Sequence, residues 1–147
     1  MKNKIKIRKA NEYDISELNN LNSKSFEELT KKLNFSKFVG NSNYRIIIAS
    51  QKKDIVGYLL TLKIASNLHE IISIAVDSSH KREGVASLLL SEFLVSKKVN
   101  SKIILEVANK NRVAIKLYKA FLFDIDGIRK DYYKNPPDDA LLMSKII

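Results

Sequence analysis

Two features of this 147-residue sequence have the residue types and spacing for chemistry. The first is IISIAVDSSHKREGVASLLL, residues 71–90. A β-branched apolar run, Ile71 to Val76, ends in the polar turn residues Asp77 to Ser79. A basic pair follows, Lys81 and Arg82, and then Gly84 at the head of an apolar helical pattern. In a strand, loop and helix of this kind, the loop N–H groups and the first helical turn lack intrahelical acceptors. They sit at the positive end of the helix dipole, which makes a phosphate site. Gly84 and Ala86 have almost no side chain, so a bulky anion approaches the backbone closely. The pyrophosphate of a cofactor suits this pattern, although the loop alone would serve any nucleotide. The second feature is Glu106, which interrupts the apolar string IILEV. Burying a carboxylate is costly without a partner or a task, and desolvation raises its pKa toward the range useful to a general base. The alternative is an exposed position on an alternating strand face.

The elements that position these residues follow from periodicity. Ile5 and Ile7 alternate with Lys4, Lys6 and Arg8 as in a half-buried strand. Asn11 or Asp14 caps a helix whose face is Ile15, Leu18 and Leu21 or Asn22. Phe26 to Phe38 suggests another helical piece, bounded by Gly40 and Asn41. Arg45 to Ser50 and Ile55 to Ala65 read as a β-hairpin, with Gly57 a bulge or a close approach. The strand Glu70 to Val76 follows the turn at Asn67. After the Gly84 loop, Val85, Leu88, Leu89, Glu92, Phe93 and Val95 keep helical spacing with Asn100 as the stop, and a strand from Lys102 to Ala108 and a helix from about Asn111 to Phe121 follow. Two last strands, Phe123 to Tyr133 and Ala140 to Ile147, flank NPPDD, where Pro136 and Pro137 predict a loop. This order describes a mixed α/β sheet rather than a doubly wound one.

Composition narrows the function. An apolar fraction of 45% and a charged fraction of 29% are ordinary for a globular protein, and the length predicts one domain, 1–147. With no cysteine, disulfides, thiolate metal sites and a cysteine nucleophile are excluded. His69 and His80 are too few and too ill-spaced for a zinc site, and read as loop or surface residues. No apolar run approaches the roughly 18 to 20 residues that span a bilayer, and MKNKIKIRKA lacks the apolar segment of a secretory signal, so no membrane and a cytoplasmic location are expected. The net charge of +10 raises a ribosome-associated or nucleic-acid partner. Yet Lys and Arg are scattered, with no basic block, so direct nucleic-acid binding is not expected.

With these residues in place, the chain resembles the GNAT superfamily of acetyl-CoA-dependent N-acyltransferases. The family signature Q/R-x-x-G-x-G/A corresponds to Lys81-Arg82-Glu83-Gly84-Val85-Ala86, with lysine in the first place and Arg82 keeping the positive charge. Within the superfamily it is similar to RimI-type and archaeal protein N-terminal acetyltransferases from about Glu70 to Met143. The strings that carry this are IAVDSSHKREGVASLLL, LEVANKNRVAIKLYKAFLF, IRKDYY and DDALLM, the closing ones narrower than the loop. Leu122 departs from the usual Gly before an aromatic residue. The Pro-Trp-Ser type segment that helps shape the acceptor groove in bacterial relatives is absent.

The resemblance implies a GNAT fold, a central, mostly antiparallel twisted sheet of about seven strands flanked by about four helices. It implies acetyl-CoA as donor and a protein N-terminus as acceptor, with ribosomal proteins among the expected substrates. The chain would be a monomer or homodimer. A lysine side chain or a small amine is the alternative acceptor. A basic CoA-binding or ribosome-associated module without turnover is the alternative class, against which Glu106 and Tyr118 argue. Acetyl transfer needs a neutral amine, a stabilised oxyanion and a protonated thiolate. An N-terminal amine has a pKa of about 7.7 to 8.0, so modest base assistance suffices. Direct attack agrees with the absence of cysteine.

By the same resemblance Glu106 is the base, and Tyr118 donates a proton to the departing sulfur, though alone Tyr118 reads as helix packing. Glu70 matches a position that supplies the base in other branches, and otherwise reads as a strand-end surface residue. The two carboxylates together would flank the amine through water. A strand bulge around Ile74, Ala75 and Val76 would polarise the thioester carbonyl and pair with the pantetheine arm. Lys81, Arg82, Glu83, Gly84, Val85, Ala86 and Ser87 would wrap the pyrophosphate. Asn111 would bond the cofactor or simply cap its helix. Tyr132 and Tyr133, after Arg129, would cover the acceptor or merely pack, and Phe26 is a further acceptor contact. No metal is implied.

Overall fold

The computed structural model describes residues 4–26 and 32–147. Along the chain run β1 (Ile5–Lys9), α1 (Ile15–Ser25), β2 (Tyr44–Gln51), β3 (Asp54–Ala65), β4 (Leu68–Val76), α2 (Val85–Val95), β5 (Lys102–Ala108), α3 (Arg112–Ala120), β6 (Asp124–Lys134) and β7 (Pro137–Ile146). The sheet has seven strands in the order β1-β2-β3-β4-β5-β7-β6. Only β4 and β5 pair in parallel, a geometry that needs a crossover, which α2 supplies.

Both faces of the sheet are covered, so its central strands read as continuous apolar runs rather than alternating ones. In β2, Ile47 packs with Leu59, Ile71, Leu89, Phe93 and Leu105 in the layer under α2 and α3. Its neighbours Ile46 and Ile48 join Leu18, Leu21, Phe35, Tyr58 and Ala75 in the layer under α1. No helix among the described residues is long and apolar enough to cross a membrane.

Several expectations are corrected. The described residues hold three α-helices rather than about four. The expected helical piece Phe26 to Phe38 includes residues 27–31, which lie outside the described residues, and its end is a 3-10 turn, Phe35–Lys37, capped by Asn34. The NPPDD connection is a tight turn at Asn135 and Pro136, with β7 starting at Pro137 opposite Lys134. A proline is tolerated there because the first residue of a strand need not donate to the ladder. His69 is neither loop nor surface: it is 6% exposed in β4, with its ring edge-on to Phe93. Burial, then Lys97 and Lys63, hold its pKa down.

The bulge in β4 falls earlier than Ile74 to Val76. Leu60 pairs with Ser73 and Thr61 with Ile71, so Ile72 is the extra residue. An extra residue inverts the two-residue alternation beyond it. His69 and Ile71 face the α2 layer before the bulge, whereas Ile74 and Val76 do so after it and Ala75 turns to α1. The β4–β5 pairing covers only Leu68 to Ile71, so the two strands part at the bulge. Gly57 is both a close approach and a neighbour of a register shift. A Cβ there would stand 2.9 Å from Val85 Cγ1 and 3.1 Å from the Ala75 carbonyl, while the β2–β3 register slips beside it.

Candidate active site

Where β4 and β5 part, the gap opens into a cleft of about 560 Å³. Glu70, Ile72, Ser73 and Ile74 line it from β4, and Glu106 and Ala108 from β5. Asn111, Ala114 and Tyr118 close the α3 side. Phe26 and Leu33 stand on the α1 side, and Tyr132 and Tyr133 of β6 form the remaining rim. The cleft thus brings together eight of the expected site residues: Glu70, Glu106, Tyr118, Asn111, Ile74, Phe26, Tyr132 and Tyr133. Ala75 is buried under α1, and Val76 packs toward α2, so neither side chain is part of the wall.

The residues from Lys81 to Ser87 gather at the start of α2 instead. Lys81, Arg82, Glu83 and Gly84 are exposed. Arg82 (φ 68°) and Gly84 (φ 77°) are both left-handed, and no side chain caps the helix. Left-handed residues in such a loop turn backbone N–H groups into a concavity that suits an anion. No heavy atom lies within 4 Å of where a Gly84 side chain would be, so the backbone is open to a ligand. Val85 differs from its neighbours: its side chain is 2% exposed and anchors α2 in the core, leaving only its main chain to a ligand. These features, with the β4 edge that β5 leaves after Ile71, fit a cosubstrate that carries both a pyrophosphate and an extended amide arm.

The two carboxylates differ in surroundings. Glu106 lies two residues beyond Ile104, the β5 partner of Glu70, so both project on one side of the sheet. Arg129 Nη1 stands 3.6 Å from Glu106 Oε1. The charge of Glu106 and a hydrogen bond from the Tyr132 phenol raise the pKa of that phenol. Arg129 also lies over the Tyr132 ring, 5.6 Å from its centroid. The Glu70 carboxyl is pushed up, first by burial and then by the negative charge of Glu106. Tyr118 is 4% exposed, its ring 5.5 Å from that of Phe123, and burial drives its phenol pKa well above the ordinary value. Asn111 does cap α3, its Oδ1 accepting the Ala114 N–H at 3.2 Å, while also facing the cleft.

Sequence reasoning missed the polar network behind the cleft. Asn22 Nδ2 donates to the Tyr58 hydroxyl at 2.9 Å, and that hydroxyl lies 2.7 Å from Ser73 Oγ. Asn22 Oδ1 accepts the Leu33 N–H at 2.7 Å. The network ties α1 and the segment bearing Leu33 to the β4 bulge. Its signals were polar residues in apolar settings: Ser73 inside IISIAV, and Asn22 on the inner face of α1.

Comparison with known proteins agrees with this architecture. A putative alanine N-acetyltransferase for ribosomal protein bS18, from Bacillus subtilis (strain 168), is 27% identical over 146 residues, covering 97% of this chain and 96% of that protein. An uncharacterized protein of Mycobacterium leprae is 32% identical over 115 residues; the match covers 76% of this chain and only 32% of that protein's length. The ribosomal-protein-S18-alanine N-acetyltransferase of Escherichia coli has a TM-score of 0.87 at 23% identity, with 98% of this chain and 94% of that chain covered. Arabidopsis thaliana NAA60 in complex with acetyl-CoA has a TM-score of 0.84 at 18% identity, with 98% and 99% covered. At these identities the two structures establish the shared fold. The acetyltransferase (GNAT) family profile matches residues 12–123, and the chain belongs to the GNAT acetyltransferase family.

Proposed function

We propose that this chain moves an acetyl group from acetyl-CoA to the N-terminal α-amine of a protein, by direct attack of the amine on the thioester. The observation that carries the reading is the cleft at the parting of β4 and β5. Glu70 and Glu106 face it together, Tyr118 closes one side, and Phe26, Leu33, Tyr132 and Tyr133 make an aromatic and apolar rim for an extended peptide end. The relatives named for alanine acetylation of a ribosomal protein support the same acceptor class, ribosomal proteins included.

Bound acetyl-CoA supplies an acetyl group activated as a thioester. Main-chain N–H groups between Arg82 and Ser87 hold its pyrophosphate, with Lys81 and Arg82 offsetting the charge. The β4 edge beyond Ile71, bulge included, takes the pantetheine arm, and Asn111 borders it from α3. Glu70, ionised, accepts a proton from the amine, directly or through one water. Glu106, steadied by Arg129, fixes the amine from the other side.

Tyr118 directs its phenol toward the leaving sulfur. A buried phenol with a raised pKa is a weaker acid than a thiol of about 8.5, so Tyr118 stabilises the sulfur by donating a hydrogen bond rather than by giving up its proton. The protons balance without it: a C–N bond forms, the C–S bond breaks, and the proton that Glu70 takes from nitrogen returns through water to sulfur.

The test is incubation with acetyl-CoA and peptides whose N-termini are free or blocked. Acetylation of free N-termini is expected. Acetylation confined to lysine on N-blocked peptides would overturn the reading in favour of a side-chain amine.

A further inference from the structure

We propose that Asp139 is a positioning residue for the acceptor side of this reaction, its carboxylate holding the β6 bulge that sets Tyr132 against Glu106. The inference rests on the reading of the cleft as an acyltransferase site.

Strands β6 and β7 pair through Arg129 and Ala140, and again at Tyr133 and Asp138. Between these pairs three residues, Lys130, Asp131 and Tyr132, stand opposite Asp139 alone. Asp131 is left-handed (φ 55°), a conformation that costs a residue with a side chain about 1–2 kcal/mol. Asp131 has no partner on β7 in the strand register. Asp139 Oδ1 accepts the Asp131 N–H at 2.8 Å. A carboxylate therefore stands in for the missing ladder acceptor.

Asp139 is itself held on both sides. Its carbonyl accepts the Asn109 N–H at 2.9 Å, and its N–H donates to Asp138 Oδ1 at 2.8 Å. Asp138 Oδ2 in turn accepts the Lys110 N–H at 2.8 Å, so the pair anchors β7 to the loop that leads into α3. From this fixed point the bulge throws Tyr132 over the cleft, edge-on to Tyr133 at 5.1 Å and under the Arg129 guanidinium. Asp139 does not line the cleft, so its effect passes through Tyr132 and the Arg129–Glu106 pair. Without its carboxylate the two surplus residues of β6 are free to slip, and Tyr132 leaves Glu106.

The experiment compares Asp139→Ala, Asp139→Asn and Tyr132→Ala in steady-state assays with acetyl-CoA and an acceptor peptide. Asp139→Ala is expected to raise the acceptor KM about tenfold, as misplacement of a positioning group does, and to leave the acetyl-CoA KM unchanged. Asp139→Asn restores most of the loss, because its amide oxygen accepts the same N–H. In a Tyr132→Ala background Asp139→Ala adds little. Equal loss in the Ala and Asn variants, a matching rise in both KM values, or a full Asp139→Ala effect without Tyr132 would each overturn the proposal.

Alkaline titration of tyrosine absorbance reads the same contact without turnover. The difference between wild type and Tyr132→Phe isolates Tyr132, whose midpoint is expected to fall in Asp139→Ala; an unchanged midpoint overturns the proposal. Failure of the functional reading looks different: the wild type acetylates no peptide, while the titration still reports whether Asp139 sets Tyr132.

Discussion

Arg129 Nη1 lies 3.6 Å from Glu106 Oε1, whereas no ion pair engages Glu70 among the described residues. One carboxylate of the cleft is thus steadied by a cation. The other is pushed toward protonation by burial and by its neighbour's charge. Pairs of titratable groups in opposed environments mark a division of roles. A raised affinity for a proton suits a group that takes a proton from an amine, which supports the base role proposed for Glu70.

The first prediction concerns pH. The kcat for a saturating acceptor peptide should rise along a limb set by ionisation of Glu70, displaced above the ordinary glutamate value. Glu106→Gln removes a charge that raises this pKa, so the limb moves to lower pH. Glu70→Gln should erase the limb and lower kcat by about 10²-fold, the small end of general-base effects, because part of an N-terminal amine is already neutral. Profiles in which both variants keep the wild-type limb would remove Glu70 from the role.

The same shift predicts a gain in stability. A carboxyl whose pKa is raised by folding is favoured by the fold in its protonated form. The advantage is complete below the ordinary value of 4.5 and is lost as pH rises through the folded-state value. At neutral pH the ionised Glu70 therefore weakens the fold. Glu70→Gln should raise Tm at pH 7 and change it little under acid conditions below that ordinary value. Thermal melts at the two pH values check this, and a lower Tm for the variant at pH 7 would contradict it.

Tyr118 separates packing from chemistry. It has no side-chain hydrogen-bond partner among the described residues, so Tyr118→Phe relieves a buried hydroxyl and should hold or raise Tm. If its phenol faces the leaving sulfur, kcat falls by about 10²-fold while acetyl-CoA affinity is kept, the scale of losing one donor to a developing charge. An unchanged kcat would leave Tyr118 a packing residue.

Asn22 should be worth more to the fold than its position on a helix suggests. Asn22→Ala leaves the Leu33 N–H and the Tyr58 hydroxyl each short of a partner. Stranding buried polar groups costs about 1–3 kcal/mol, which lowers Tm by roughly 2–4 °C per kcal/mol at this size. Tyr58→Phe removes a hydroxyl but leaves the Leu33 contact, so it should cost less in the same melt. The reverse ranking would show that the Leu33 contact carries little.

The sheet was legible because its strands obey simple patterns. Ile5 and Ile7 alternate, Gln51 to Asp54 turn a hairpin, and α2 follows Gly84. Even the two readings of Gly57 agree with the structure, since a local contact and a local register shift both select glycine. What stayed hidden was nonlocal. A bulge one residue long at Ile72 leaves no mark among the isoleucines of β4, because Ile71, Ile72 and Ile74 satisfy either face. The Arg129–Glu106 pair joins residues on strands separated by β7, and the Asp139 clamp depends on a register that β6 abandons for three residues. Glu106 was visible from its apolar neighbours; its cation was not.

Gly57 offers the sharpest test of how the sheet places the proposed donor loop. Val85 opens α2 and presses on Gly57, where an added Cβ would meet Val85 Cγ1 at 2.9 Å and the Ala75 carbonyl at 3.1 Å. Backbone cannot give way as a side chain does. Gly57→Ala should therefore lift the first turn of α2 and cost about 1–3 kcal/mol. Because that turn carries the N–H groups proposed for the pyrophosphate, the acetyl-CoA KM should rise while the acceptor KM does not. Gly84→Ala acts on the same loop by another route, since its space is open and only its left-handed φ of 77° is strained. Adding Val85→Ala discriminates them. It removes the methyl that Gly57→Ala strikes and so should restore part of the acetyl-CoA KM in that background, with no recovery in Gly84→Ala. Equal recovery in both would mean that the two glycines do not act through different contacts.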